Sequence, residues 1–331
     1  MKPDRYAHIL SFVVSHPWAI LPEWGPVIAG TLARHIAGVE STAEIAAALV
    51  NRKNLPQPKV GSVAIIPVYG AIAPRMNLFS EYSGGTTFEK LTSQLRQAMA
   101  NADVKTILLD IDSPGGSVAG CAEFTAELMR ARTKKPILAQ AQFTMASAAY
   151  HLASAATEII AAPSAFVGSI GCYWMHDDLS AALEQLGIKR TFVSAGEGKL
   201  DGNETEPISK AAEARRKAIV DTMYGQFVDA VVAGRGKGMT PDRVRSEWKA
   251  YVYGSTDALA LGMVDRVATL DETLTRLLTD STDPADQRAL VTLSTPNATD
   301  QEPPIAATSQ ERTADTAWQN AIERELQQLD F

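Results

Sequence analysis

Residues 106–132, TILLDIDSPGGSVAGCAEFTAELMRAR, read as a buried strand, a tight turn and a helix in immediate succession. Thr106–Asp112 is an apolar run of strand length, as expected where a sheet is covered on both faces. Ser113–Gly116 supplies the turn, because Pro-Gly-Gly continues neither a strand nor a helix well. The same alternation extends in both directions. VAIIPVYG (63–70) is a strand bounded by glycine. TFEKLTSQLRQAMA (87–100) places Phe88, Leu91, Leu95 and Met99 at helical spacing behind a Thr87 N-cap. PILAQA (136–141) is a third strand, and a short helix begins near Ser147. EIIAA (158–162), SIGCYW (169–174) and RTFVSA (190–195) read as strands, and LSAALEQLG (179–187) as a helix. A long helix over about 209–233 carries Ile219, Met223, Phe227 and Val231 as a stripe. Strands alternating with helices predict an α/β fold of βαβ units with a mostly parallel sheet. Such sheets take ligands at the carboxyl ends of their strands, where both SPGG and MASAA emerge.

Composition narrows the function classes. The chain has 331 residues, 46% hydrophobic and 21% charged, and a net charge of −7. Nothing in that balance attracts nucleic acid. Residues 281–331 hold nine acids and three bases, a net of −6, so the end of the chain is a different polymer from the rest. The chain divides into three regions: an apolar and helical N-terminal extension (1–60), a core domain (61–280) and an acidic, flexible tail (281–331). The extension contains HPWAILPEWGPV (16–27), an irregular apolar segment that must pack on something, then a helix (43–52) and a proline-bearing linker (54–59). The tail ends in a helix with Trp318, Ile322, Leu326 and Leu329 on one face. Cys121 and Cys172 stand in no metal-binding pattern, so no metal or cofactor is expected and both thiols are expected free. No run reaches membrane-spanning length, and ILSFVV (9–14) lacks a cleavage site, which predicts a cytoplasmic protein with no membrane partner.

Two stretches could carry chemistry. SPGG (113–116) exposes backbone N–H groups that can stabilise an oxyanion, or is an ordinary strand-to-helix turn. Ser147, in TMASAAYHLA (144–153), is either a nucleophile or a plain N-cap serine. His151 is one helical turn on, but that turn runs along the helix and away from any substrate. Lys199, in SAGEGKLDG (194–202), reads by itself as a solvated loop lysine.

Taken in order, D-S-P-G-G (112–116), A-S-A-A-Y (146–150) and G-x3-A-x3-G-x-V-D (Gly254, Ala258, Gly262, Val264, Asp265) resemble the signal-peptide-peptidase-A-like serine peptidases, family S49 of the ClpP/crotonase superfamily. The resemblance covers about residues 61–270. It implies a ClpP/crotonase-like fold of repeated ββα units and a Ser–Lys dyad. It carries the nucleophile onto Ser147 and the base onto Lys199, 52 residues on. It carries a lysine-orienting hydroxyl onto Ser169 of VGSIG (167–171), and the oxyanion-hole N–H groups onto Gly116 and Ala148. A lysine is a base at neutral pH only where lost water disfavours its ammonium, so Glu197 and Asp201 must turn away from Lys199. The family further implies a homo-oligomeric ring in which neighbouring protomers share active sites. The family often has Gly-Gly after the serine, whereas this chain has Ala148-Ala149. The layout also resembles the head-maturation proteases of tailed phages, which act on scaffold, capsid and portal proteins. Three other readings stay open: a cellular peptidase of short apolar peptides, a crotonase-like acyl-CoA enzyme, and a non-enzymatic assembly protein.

Overall fold

The computed structural model describes residues 16–24, 59–75, 85–236, 238–279 and 281–294. The expected helix at 43–52, most of the 54–59 linker and the terminal helix at 318–331 lie outside them. Met1–Leu290 forms one compact unit, which holds both sheets, and Val291–Phe331 forms a second.

A three-residue strand, β1 (Trp18–Ile20), comes first. A short β2 (Lys59–Val60) leads into β3 (Val63–Tyr69), β4 (Ile72–Ala73) and β5 (Thr86–Thr87), then helix α1 (Phe88–Ala100). The unit repeats as β6 (Thr106–Ser113), β7 (Gly115–Ser117) and α2 (Cys121–Ala131). Next come β8 (Ile137–Ala146), α3 (Ala148–Ala153), β9 (Glu158–Ala161) and β10 (Phe166–Gly168). A short α4 (Ser180–Gln185) and the long α5 (Lys210–Arg235) come after them. A π-helical turn (Arg243–Trp248) precedes β11 (Val252–Gly254), α6 (Ser255–Ala260), β12 (Arg266–Val267), α7 (Leu270–Thr279) and α8 (Pro284–Ser294). The last of these is a helix inside the stretch expected to be tail.

The larger sheet runs β11-β10-β8-β6-β3-β2, with β9 and β12 attached beside β8. Its pairs β3–β6, β6–β8, β8–β9, β8–β10 and β9–β12 are parallel, and only β2–β3 and β10–β11 are antiparallel. The mixed α/β fold with a mostly parallel sheet is therefore as expected. A second sheet, ordered β1-β7-β4-β5, is built where strands of the first continue past a turn. β3 passes through Gly70 into β4, and β6 through Pro114 into β7. This is the anticipated ββα repeat, and it makes SPGG a strand start rather than a tight turn.

The core explains the sequence pattern. β6 is covered on both faces, with Ile107, Leu108, Leu109 and Ile111 all fully buried. Thr87 caps α1, its Oγ1 accepting from Lys90 N at 3.1 Å, and Phe88, Leu91 and Leu95 face inward as expected. Two expected strands do not form. Residues 169–174 leave the sheet after β10 and make only one isolated bridge, at Tyr173. Residues 190–195 are irregular and exposed, Val193 at 99%. Among the described residues they pair with no strand.

Candidate active site

β8 delivers Ser147 to the end of the parallel sheet, and α3 starts at the next residue. The Ser147 N–H donates to Gly168 O at 2.8 Å, so the end of β10 fixes its backbone. Its φ of 53° and ψ of −118° lie in a region that side chains avoid, at a cost of about 1–3 kcal/mol. Among the described residues only Ser147, Ser169 and Lys249 combine a side chain with positive φ. Two of the three are the serines singled out in the sequence. Strain at these positions turns the chain sharply at a strand end, and a plain N-cap serine needs none of it. Ser147 caps nothing: its side chain makes no cap hydrogen bond to α3. Its Oγ donates instead to Gly171 O at 3.3 Å.

Two arms flank this serine. The first is Gly115–Ser117, with glycine required by close approach. A methyl on Gly116 would fall 2.0 Å from Ile72 O, and one on Gly115 would fall 2.2 Å from Ala19 O and 3.0 Å from Ala148 N. The Gly115 backbone thus reaches the first residue of α3, bringing the two anticipated oxyanion donors into one neighbourhood. The Ala148 N–H has no hydrogen-bond partner among the described residues. The second arm is Gly168–Tyr173. Ser169 N donates to Tyr251 O at 2.7 Å, which holds the arm to the sheet edge. The Ser169 side chain is nearly buried, and its hydroxyl has no partner among the described residues.

His151 is not part of this constellation. Its ring is buried, with Nδ1 2.7 Å from Thr125 Oγ1 and the ring centroid 4.6 Å from that of Phe227. Burial pulls its pKa down to about 4. The ring is thus held in the packing between α2 and α5. Both cysteines are free. Burial raises both thiols, Cys172 to about 12, and protonated thiols are poor nucleophiles. No His, Cys, Asp and Glu group suited to a metal occurs among the described residues, and no helix there is long and apolar enough to cross a membrane.

Lys199 is exposed, in the turn around Gly198, and makes no hydrogen bond with Ser147 of its own chain. Asp201 turns toward Arg215, with which it forms an ion pair, and so leaves the amine of Lys199. The segment that carries Lys199 is unusual for its apolar exposure: Leu186 is 72% exposed, and Ile188, Phe192 and Val193 are exposed as well. The stripe on α5 behaves similarly. Phe227 and Val231 are buried, but Ile219 is exposed.

The glycine-spaced motif at 254–265 is structural. Ala258 and Val264 are buried, and Gly262 takes a φ of 75° after α6. Asp265 holds Arg235 through both carboxylate oxygens, at 2.6 and 2.8 Å, and accepts from Ile159 N at 2.8 Å. Burial raises its carboxyl, but these hydrogen bonds outweigh it and leave the pKa below the usual range. Sequence reading did not single out the Tyr173 bridge or β1. The signal was present in the apolar PWAIL and SIGCYW stretches, but not their mutual pairing.

The chain is 28% identical over 220 residues to the head-tail preconnector protein GP5 of Enterobacteria phage P21, covering 66% of this chain and 43% of that one. It is 29% identical over 216 residues to the capsid assembly protease C of Escherichia phage lambda, covering 65% and 48%. It is also 29% identical over 222 residues to Protease 4 of Salmonella typhi, covering 67% and 35%. Each match spans less than half of the relative's length. Among solved structures, an enoyl-CoA hydratase from Shewanella pealeana covers 76% of this chain and 82% of that one, with a TM-score of 0.42 and 12% identity. The family model of peptidase family S49 matches residues 129–282, from the end of α2 through β8, Ser147 and the 254–265 motif to α7.

Proposed function

We propose that the protein is a serine endopeptidase with Ser147 as its nucleophile, acting on the head proteins of a tailed phage. The observation that carries the reading is the strained Ser147 at a strand end, between one arm of backbone N–H groups and another holding a serine hydroxyl without a partner among the described residues. In this reading Ser147 Oγ attacks a peptide carbonyl. The N–H groups of Gly116 and Ala148 receive the charge that develops on its oxygen. The proton passes to the Lys199 amine, which returns it to the leaving amine, while Ser169 orients the lysine. Water then releases the acyl group from Ser147.

Lys199 acts from a neighbouring protomer of a homo-oligomeric ring. Its exposed position and the bare apolar side chains of its segment support that assignment, since contact between protomers would cover them and remove water from the amine. The phage role rests on the names of the capsid assembly protease and preconnector relatives. The protein would then occupy the host cytoplasm and the interior of the immature head, with scaffold, capsid or portal proteins as substrates.

The experiment is co-expression of the chain with scaffold and shell proteins, comparing fragments by mass spectrometry for the wild type and Ser147→Ala. New fragments that vanish in Ser147→Ala are expected. Identical fragment patterns would overturn the assignment. A fluorophosphonate probe should label Ser147 and no other serine.

A further inference from the structure

The groove between the two arms is already filled. β1 lies antiparallel to β7, with Trp18 opposite Ser117, Ala19 opposite Gly116 and Ile20 opposite Gly115. Its other edge meets the second arm: Trp18 N donates to Tyr173 O at 2.8 Å, and Tyr173 N donates to Trp18 O at 2.9 Å. The strand is therefore hydrogen-bonded on both sides, as a peptide strand is when it is added between two edges. All three of its side chains are nearly fully buried.

The register has a chemical consequence. Leu21 N donates to Pro114 O at 2.9 Å, which makes 21 and 114 a directly bonded pair. Such pairs recur every second residue in an antiparallel ladder, so 19 and 116 form another. The Gly116 N–H is thus aimed at the Ala19 carbonyl. That N–H is the donor assigned to the oxyanion of a substrate. It cannot serve a substrate carbonyl while Ala19 holds it.

We infer that Trp18–Ile20 is an internal pseudo-substrate, a strand of the protein's own chain that occupies the peptide groove and must leave before another peptide can enter. What it blocks rests on the reading of Ser147 as a nucleophile; that it occupies a displaceable peptide slot does not. Its build suits removal. It is three residues long, and Pro17 and Pro22 flank it, so the ladder cannot lengthen far in either direction. Ala19 also lines a cavity of about 160 Å³, shared with Val118, Cys121, His151, Cys172 and Phe227. A larger side chain at that strand position has room that alanine leaves unused.

The test uses the full chain in a Ser147→Ala background, with fluorescein-labelled SHPWAILPEW, the sequence of residues 15–24, as the probe. Ala19→Pro deletes the N–H that faces Gly116 and should expel the strand. The labelled peptide is expected to bind the Ala19→Pro chain at least tenfold more tightly than its parent, by fluorescence anisotropy. A peptide with proline at the alanine position should bind neither. Equal binding to the two chains, or binding to neither with an unchanged melting temperature, would overturn the inference. Should Ala19→Pro fail to fold, hydrogen exchange on the unsubstituted chain decides. The amides of Trp18, Ala19 and Leu21 should exchange at least 100-fold faster than those of Ile107–Ile111; equal protection marks β1 as a permanent strand and sinks the proposal. With Ser147 restored, fluorophosphonate labelling should rise about tenfold in Ala19→Pro. If peptide binding switches but Ser147 is never labelled, the slot stands and the peptidase reading fails.

Discussion

His151 shows how burial decides what a residue does. It is four positions from Ser147, and histidine is the usual partner of a catalytic serine, yet its ring is packed among Thr125 and Phe227. Its pKa is about 4 in the folded chain against an ordinary 6.5. Between these values the unfolded chain binds a proton that the folded chain refuses, so stability rises with pH across that window. We expect about 3 kcal/mol to be lost between pH 7 and pH 4 from this group alone. Urea unfolding at several pH values should show that loss in the wild type and a shallower one in His151→Leu. Ser147, by contrast, announced itself only through neighbouring motifs. Its φ of 53° cannot be read from an alanine-rich stretch, because propensity favours continuing the helix backward through it. The strain is visible only when Gly168 and Tyr251 are in place to hold the backbone.

At the scale of elements, the hydrophobic runs of β3, β6, β8 and β9 were legible because both faces of each are covered, and continuous apolar runs record that directly. The elements misread as strands, 169–174 and 190–195, also carry aromatic or β-branched side chains. Composition reports that a segment needs covering, not what covers it. The second arm finds its partner in a strand about 150 residues earlier, through the Trp18–Tyr173 bridge, and nothing local signals so distant a pairing. The 254–265 motif was legible as a motif but not as a device. Asp265 ties the end of α5 to the start of β9 by holding Arg235 and the Ile159 N–H together. Asp265→Ala leaves the largely buried Arg235 guanidinium without its carboxylate and should cost about 2 kcal/mol in urea unfolding. Because Ser147 is held by β8 and β10 instead, probe labelling per folded molecule should stay near the wild-type value.

For the whole molecule, the proposed mechanism requires Lys199 to meet Ser147. The lysine is exposed, and the Ser169 hydroxyl has no partner among the described residues. Subunits that meet head to tail would answer both. Chains carrying Ser147→Ala and chains carrying Lys199→Ala should each be inactive alone. Mixed in equal amounts and allowed to reassemble, they should recover about a quarter of the wild-type activity, the chance that an intact serine neighbours an intact lysine. No recovery at any ratio would place the dyad within one chain. The pseudo-substrate strand then sets the terms of competition. A segment tethered to its own groove acts at an effective concentration of about millimolar, whereas a free peptide in dilute solution is far scarcer. Such an enzyme would be nearly silent toward stray cytoplasmic peptides. It would turn over only where cleavable chains are packed as densely as its own N-terminus, so that crowding of the substrate, rather than any separate activator, opens the site.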